Sequence, residues 1–203
     1  MSKPSRSRSP GPSSAPPAMG LQTLMAEAQR AARSKGLPPV HLWNPPDCGD
    51  IGMKILSDGT WIYGGTPIGR MALVRLFSSI LRLDADGVHY LVTPVEKIPI
   101  AVEDAPFQAV LMTARGKGAQ QQLYFETNVG DMVEANDEHR LEFRMDARDA
   151  PRPYVMVRAG LMARLARPVF YQLVDLGCEH GGQFGVWSGG VFFSMMAAER
   201  LRS

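Results

Sequence analysis

Seven arginines crowd the last third of the chain: Arg140, Arg144, Arg148, Arg152, Arg158, Arg164 and Arg167. Glu142, Asp146 and Asp149 can neutralise the first of them, but no acid lies between Tyr154 and Leu173. A guanidinium group offers planar, bidentate donors that match phosphate or carboxylate. A helix start adds backbone N–H donors and a favourable dipole. The local pattern predicts Arg158 at the end of a strand, with Arg164 and Arg167 three apart on one face at the start of a helix. That is the chemistry of an anion site. Arg70, in the first half, is a further candidate. The competing reading is that these arginines pair internally with Glu96, Glu103 or Asp104.

Other side chains offer less. Thr93 and Glu96 form a polar patch after an apolar run, and Glu103-Asp104 sets two carboxylates together before Pro106. Paired acids do acid–base work when their surroundings split their pKa values, but an acid near proline more often shapes a turn. Trp61 and Trp187 offer rings that could stack on a base, against the plainer reading of buried core aromatics. Cys178 and His180 stand two apart with no second such pair, so no metal site is expected. The chain has no G-x-G-x-x-G, phosphate-loop or H-E-x-x-H signature. Ser188, in Gly185-Val186-Trp187-Ser188-Gly189, lies one position too late for a nucleophile elbow and reads as a turn residue.

The elements that would position these groups follow from periodicity and turn residues. Residues 1–20, rich in Ser, Pro and Gly and carrying Lys3, Arg6 and Arg8, read as a disordered tail. A helix is expected over 21–36, stopped by Gly36, and a Pro-rich loop follows over 41–50. Strands at 54–56 and 60–63 flank the Asp58-Gly59 turn. A helix opens at Pro67, with Ile68, Leu73, Phe77 and Ile80 on its apolar face. Strands are then expected at 88–93, 98–102, 107–114, 122–127, 131–134, 139–145 and 154–158. A second helix is expected over 161–176, interrupted or restarted at Pro168, and strands close the chain at 183–188 and 191–195. The order strand, glycine break, helix, turn, strands thus occurs twice, which predicts a duplicated α/β motif. In that alignment Ile68 matches Leu161, Phe77 matches Phe170, and Trp61 and Trp187 occupy corresponding places.

The expected organisation is α+β, with mostly antiparallel strands and one main helix in each part. The first part covers 49–104 and the second 105–203. With 203 residues and 45% hydrophobic content, the chain can bury a core without disulfides or metal. A net charge of +2, with the tail's three basic residues outside the folded part, gives no reason to expect DNA or RNA binding. No apolar run approaches the roughly 20 residues of a membrane span. Two cysteines are too few for a disulfide framework and suit a reduced, cytoplasmic setting. No cofactor is implied.

Asp58-Gly59-Thr60-Trp61, Pro67-Ile68-Gly69-Arg70, Leu91-Val92-Thr93-Pro94-Val95-Glu96 and Val102-Glu103-Asp104-Ala105-Pro106-Phe107 together resemble a proteobacterial family of unknown function, domain of unknown function 1285. Val157-Arg158-Ala159-Gly160-Leu161-Met162-Ala163-Arg164 and Val186-Trp187-Ser188-Gly189-Gly190 fit it too. The resemblance spans about 49–195. It implies a two-part α+β protein whose second part is superficially pleckstrin-homology-like. It also implies a ligand pocket where the parts meet, a nucleotide-like ligand and a signalling role.

Combined with the arginines, this gives a first expectation: a regulatory or sensor module binding a small anionic ligand between its parts. Arg70, Arg158, Arg164 and Arg167 would hold charge, Trp61 or Trp187 would stack, and Thr93 and Glu96 would line the site. The alternative is a protein-interaction adaptor that takes up a partner segment at a strand edge. An enzyme using Glu96 with Asp104 ranks last.

Overall fold

A computed structural model describes residues 21–32, 36–146 and 150–201. The expected disordered tail and Arg148 lie outside the described residues. Helix α1, Leu21–Ala31, turns one face inward through Leu24 and Ala28, which are four apart and fully buried. A proline-rich connection with a short 3-10 turn at Val40–Leu42 leads to the first sheet.

The first part is built as meander, helix, meander. Strands β1 (Met53–Ile55), β2 (Trp61–Tyr63) and β3 (Thr66–Pro67) run antiparallel, and helix α2 (Met71–Ser79) follows. Strands β4 (Leu81–Leu83), β5 (His89–Val92) and β6 (Lys97–Val102) form the second meander. Parallel pairing of β1 with β6, Lys54 opposite Ala101, joins the two into a six-stranded sheet of order β3-β2-β1-β6-β5-β4.

The second part repeats this order behind an extra meander. That extra unit is β7 (Phe107–Arg115), β8 (Gln122–Thr127) and β9 (Met132–Glu134). The repeat itself is β10 (Leu141–Met145), β11 (Pro151–Arg158) and β12 (Leu161–Leu165), then helix α3 (Arg167–Asp175), then β13 (Cys178–His180), β14 (Gln183–Ser188) and β15 (Val191–Ala197). Here β12 pairs in parallel with β7, giving a sheet of order β10-β11-β12-β7-β8-β9, while β13-β14-β15 stays a separate sheet with β15 against β10. Buried Ser188 fastens that third sheet: its hydroxyl donates to Ala135 O at 2.6 Å and accepts from Leu123 N at 2.9 Å. The fold is therefore α+β with a duplicated motif, mostly antiparallel, with one main helix in each part. One core runs through both, from Leu24, Trp61 and Phe77 to Phe107, Phe125 and Leu173.

Four local expectations change. Residues 161–165 form a strand, not the first turns of a helix. β12 lies between β11 and β7 with four of its five residues buried, and such a central strand lacks the alternation that would tell it from a buried helix. The helix begins only at Arg167, with proline in its first turn. Likewise Pro67 ends an edge strand and α2 starts at Met71. Matching the two helices end to end pairs Phe77 with Leu173, one turn away from Phe170, and both are fully buried. Trp61 and Trp187 are not equivalent: one opens β2 before its helix, and the other lies in β14 after its helix.

Candidate functional site

The arginines divide among three places. Arg158, at the end of β11, reaches across the junction: its guanidinium donates to Asp131 Oδ2 at 2.5 Å and to Ser78 O, at the end of α2, at 2.8 Å. With Arg82 it walls a cavity of about 280 Å³ between the parts, lined also by Leu37, His41, Leu81 and Leu161. Arg82 is equally engaged, by Asp84 and by the carbonyls of Val40 and Trp43 at 2.7 Å each. Both groups act as ties between segments, each already paired with a carboxylate. Arg70 stands at the N-cap of α2, exposed. The expected single site uniting Arg70, Arg158 and Arg164 at the junction is therefore not formed.

Arg164 and Arg167 do come together, although from a strand and a helix instead of one helix face. With Arg152 of β11 they line a cavity of about 460 Å³, flanked by Pro153, Phe170 and Tyr171. The geometry is local in origin. Arg152 and Arg164 project from neighbouring strands, where Tyr154 pairs with Arg164, and the turn into α3 brings Arg167 to the same rim. No side chain caps α3 and no acid stands in its first turn, so its free N–H groups face the same end. Arg164 donates to Asp104 Oδ2 at 3.0 Å, and Asp104 Oδ1 accepts from the Tyr154 hydroxyl at 2.7 Å. Arg152 lies 3.5 Å from Asp146. Arg167 is exposed and has no ion pair among the described residues. Three guanidinium groups thus meet two carboxylates, and the surplus cation sits at the helix start. Arg152 was the member that sequence reasoning did not select. Its signal was the alternation of β11, which puts residue 152 on the face of Tyr154, the cross-strand partner of Arg164, and so diagonal to Arg164.

Thr93 and Glu96 are structural. Thr93 is fully buried, and its hydroxyl accepts from the N–H of Glu96 at 3.2 Å, closing the β5–β6 turn. Glu96 is also fully buried, and neither carboxylate oxygen has a partner among the described residues. Burial first, and then the negative charge of Glu27 on α1, push its carboxyl above the usual range. Glu96 and Asp104 cannot act as a pair, because they bracket β6, whose six residues rise about 3.3 Å each and hold them about 20 Å apart.

Trp61 is 1% exposed and stacks near Phe77, with ring centroids 6.3 Å apart, so its ring belongs to the core. Its Nε1 is buried without a partner among the described residues, a lack that costs about 1–3 kcal/mol. Trp187 is half-buried and packs with His180 and Phe192 at 5.0 and 5.3 Å on the third sheet, away from the arginine cavity. Among the described residues no group of three His, Cys, Asp or Glu gathers to hold a metal. No helix of the described residues is long and apolar enough to cross a membrane.

Two family models match the chain. The DUF1285 N-terminal domain, a domain of unknown function, covers residues 38–105, and the DUF1285 C-terminal domain, of a protein of unknown function, covers 106–195. A crystal structure of a DUF1285 family protein from Silicibacter pomeroyi DSS-3 is similar at 52% identity and TM-score 0.83, over 89% of this chain and 98% of that one. Another, from Shewanella baltica OS155, is 28% identical with a TM-score of 0.48, over 61% of this chain and 91% of that one. No curated protein matches. The two models meet where the chain passes from the first sheet to the second, and between them they account for the duplicated architecture: this chain belongs to the DUF1285 family.

Proposed function

We propose that this protein is a regulatory binding module for a small anionic ligand, and that the ligand is held in the second part by Arg152, Arg164 and Arg167. One observation carries the reading. Arg167 is a guanidinium without an ion pair among the described residues, at an uncapped helix start on the rim of a cavity that two further arginines line. Phosphate and carboxylate match that donor set. The volume of about 460 Å³ suits a nucleotide-sized molecule, and exposed Tyr171 offers a ring at the rim. Among the described residues no nucleophile–base pair lines the cavity, which favours binding over turnover.

Thermal-shift measurement of the full chain against nucleotides and phosphorylated metabolites tests this. A ligand at 100 times its dissociation constant adds about 2.7 kcal/mol, about 5–10 °C for a chain of this size. The shift is expected to vanish in Arg167→Glu with the unliganded melting point unchanged. A shift that survives in that variant refutes the assignment.

A second reading, a protein-interaction adaptor, draws on β13. It is a fully exposed edge strand beside the His180–Trp187–Phe192 cluster and could accept a partner strand. A flat ligand panel together with recovery of one stoichiometric partner, lost when a proline replaces Glu179, would favour it.

A further inference from the structure

The segment that joins the two parts is tied to the arginine cavity. Residues 103–106 lead from β6 into β7, and the two family models meet within this stretch, at Ala105 and Pro106. Its two consecutive carboxylates are held by opposite parts. Glu103 is anchored in the first: its Oε2 accepts from the backbone N–H of Ser57 at 3.0 Å, and its own N–H donates to Ile55 O at 3.0 Å. Asp104 is anchored in the second, where its Oδ1 accepts from the Tyr154 hydroxyl at 2.7 Å and its Oδ2 from Arg164 at 3.0 Å. Ala105 follows, buried with Tyr154 and Met162 in a small cluster apart from the main core. A segment docked by so few side chains can shift without disturbing the core behind it.

Arg164 is the side chain that these contacts share with the cavity. Its guanidinium gives one terminal nitrogen to Asp104 and presents further N–H donors. An anion taken by those donors stands within a few ångströms of the Asp104 carboxylate. Two like charges on one guanidinium repel, and each weakens the other's hold. Arg164 therefore has two arrangements, one centred on Asp104 and one on a ligand, and the position of the joining segment depends on which is adopted.

We propose that Asp104 is a built-in competitor of the ligand for Arg164, so that filling the cavity loosens residues 103–106 from the second part and Glu103 passes the change to the first. This rests on the anion-site reading above and supplies the regulation of that site. The coupling is reciprocal: the Arg164–Asp104 contact and the bound anion weaken each other by the same factor.

Inorganic pyrophosphate serves as the probe, read by calorimetry and by the Ser57 amide signal in a 1H–15N spectrum of the full chain. In wild type, pyrophosphate should move the Ser57 signal saturably. In Asp104→Asn it should bind about tenfold more tightly and leave that signal in place. Without any ligand, Arg164→Gln should move the signal in the direction that pyrophosphate does. Asp146→Asn removes an equal charge beside Arg152 but leaves the joining segment intact, so the Ser57 response should survive in it. Unchanged affinity in Asp104→Asn overturns the proposal, as does a Ser57 signal that neither pyrophosphate nor Arg164→Gln moves. If Arg167→Glu still abolishes binding in those cases, the anion site stands and only its regulation by Asp104 falls. Pyrophosphate that fails to bind wild type, or binds Arg167→Glu equally well, removes the anion site and this regulation with it.

Discussion

Helices α2 and α3 are each nine residues long, and each joins two meanders, yet α1 packs against α2 whereas α3 packs against β7 and β14. The covered helix buries Val74, Phe77 and Ser78 and begins with Met71-Ala72. The other buries Val169 and Leu173 and begins with Arg167-Pro168. The same order of elements has thus been used for packing in one part and for an arginine-lined cavity in the other. Covering also has an electrostatic consequence. The β5–β6 turn places Glu96 in the interior, near Glu27 of α1, and among the described residues it has no partner and the second part has no counterpart to it.

The largest effect should come from emptying the covered side. Phe77 is fully buried, and Phe77→Ala should cost about 3–5 kcal/mol in denaturant unfolding. Next comes the cover itself. Leu24→Ala should cost about 2–5 kcal/mol, which shows that α1 is part of the core; a cost near zero would mean that α1 rests on the surface. Arg158→Ala tests the tie between the parts. It strips Asp131 and Ser78 O of their partner and should cost about 1.5–3 kcal/mol.

Glu96→Gln should instead stabilise, with a pH dependence of definite sign. The folded pKa of Glu96 lies above its unfolded value. The cost of ionising it in the fold is therefore absent below the unfolded value, grows as pH rises through the folded one, and is complete above it. Wild type and Glu96→Gln should melt together at acid pH and diverge toward neutrality, the variant being the more stable. Asp84 has the opposite slope: hydrogen bonds from Arg82 and then Lys97 lower its pKa, so its contribution is present at neutral pH and is lost as pH falls through the lowered value.

How far the sequence revealed this can be stated residue by residue. The duplication was visible because glycine breaks and apolar runs recur in order, and most strands followed from alternation. β12 was not visible, because four of its five residues are buried and little alternation is left to read. The register of the repeat slipped by one helical turn for a related reason: apolar positions recur every three or four residues, so Phe170 and Leu173 fit Phe77 equally well. Arg164 and Arg167, which line one cavity, were both singled out in the sequence. Which arginines remained available was not legible, because Asp131 and Ser78, which engage Arg158, lie 27 and 80 residues away in the chain. The burial of Glu96 was hidden for the same reason, since only the fold brings Glu27 of α1 near it.

The smallest expected change in stability is also the most informative. Arg167 is exposed and unpaired among the described residues, so Arg167→Glu should alter unfolding by no more than about 0.5 kcal/mol. The decisive measurement is calorimetric titration of the best phosphorylated ligand from the thermal-shift panel into wild type, Arg167→Glu and Arg158→Ala. Binding lost in Arg167→Glu and kept in Arg158→Ala would place the anion site at the uncovered helix. Binding kept in Arg167→Glu and lost in Arg158→Ala would place it at the junction and contradict the account.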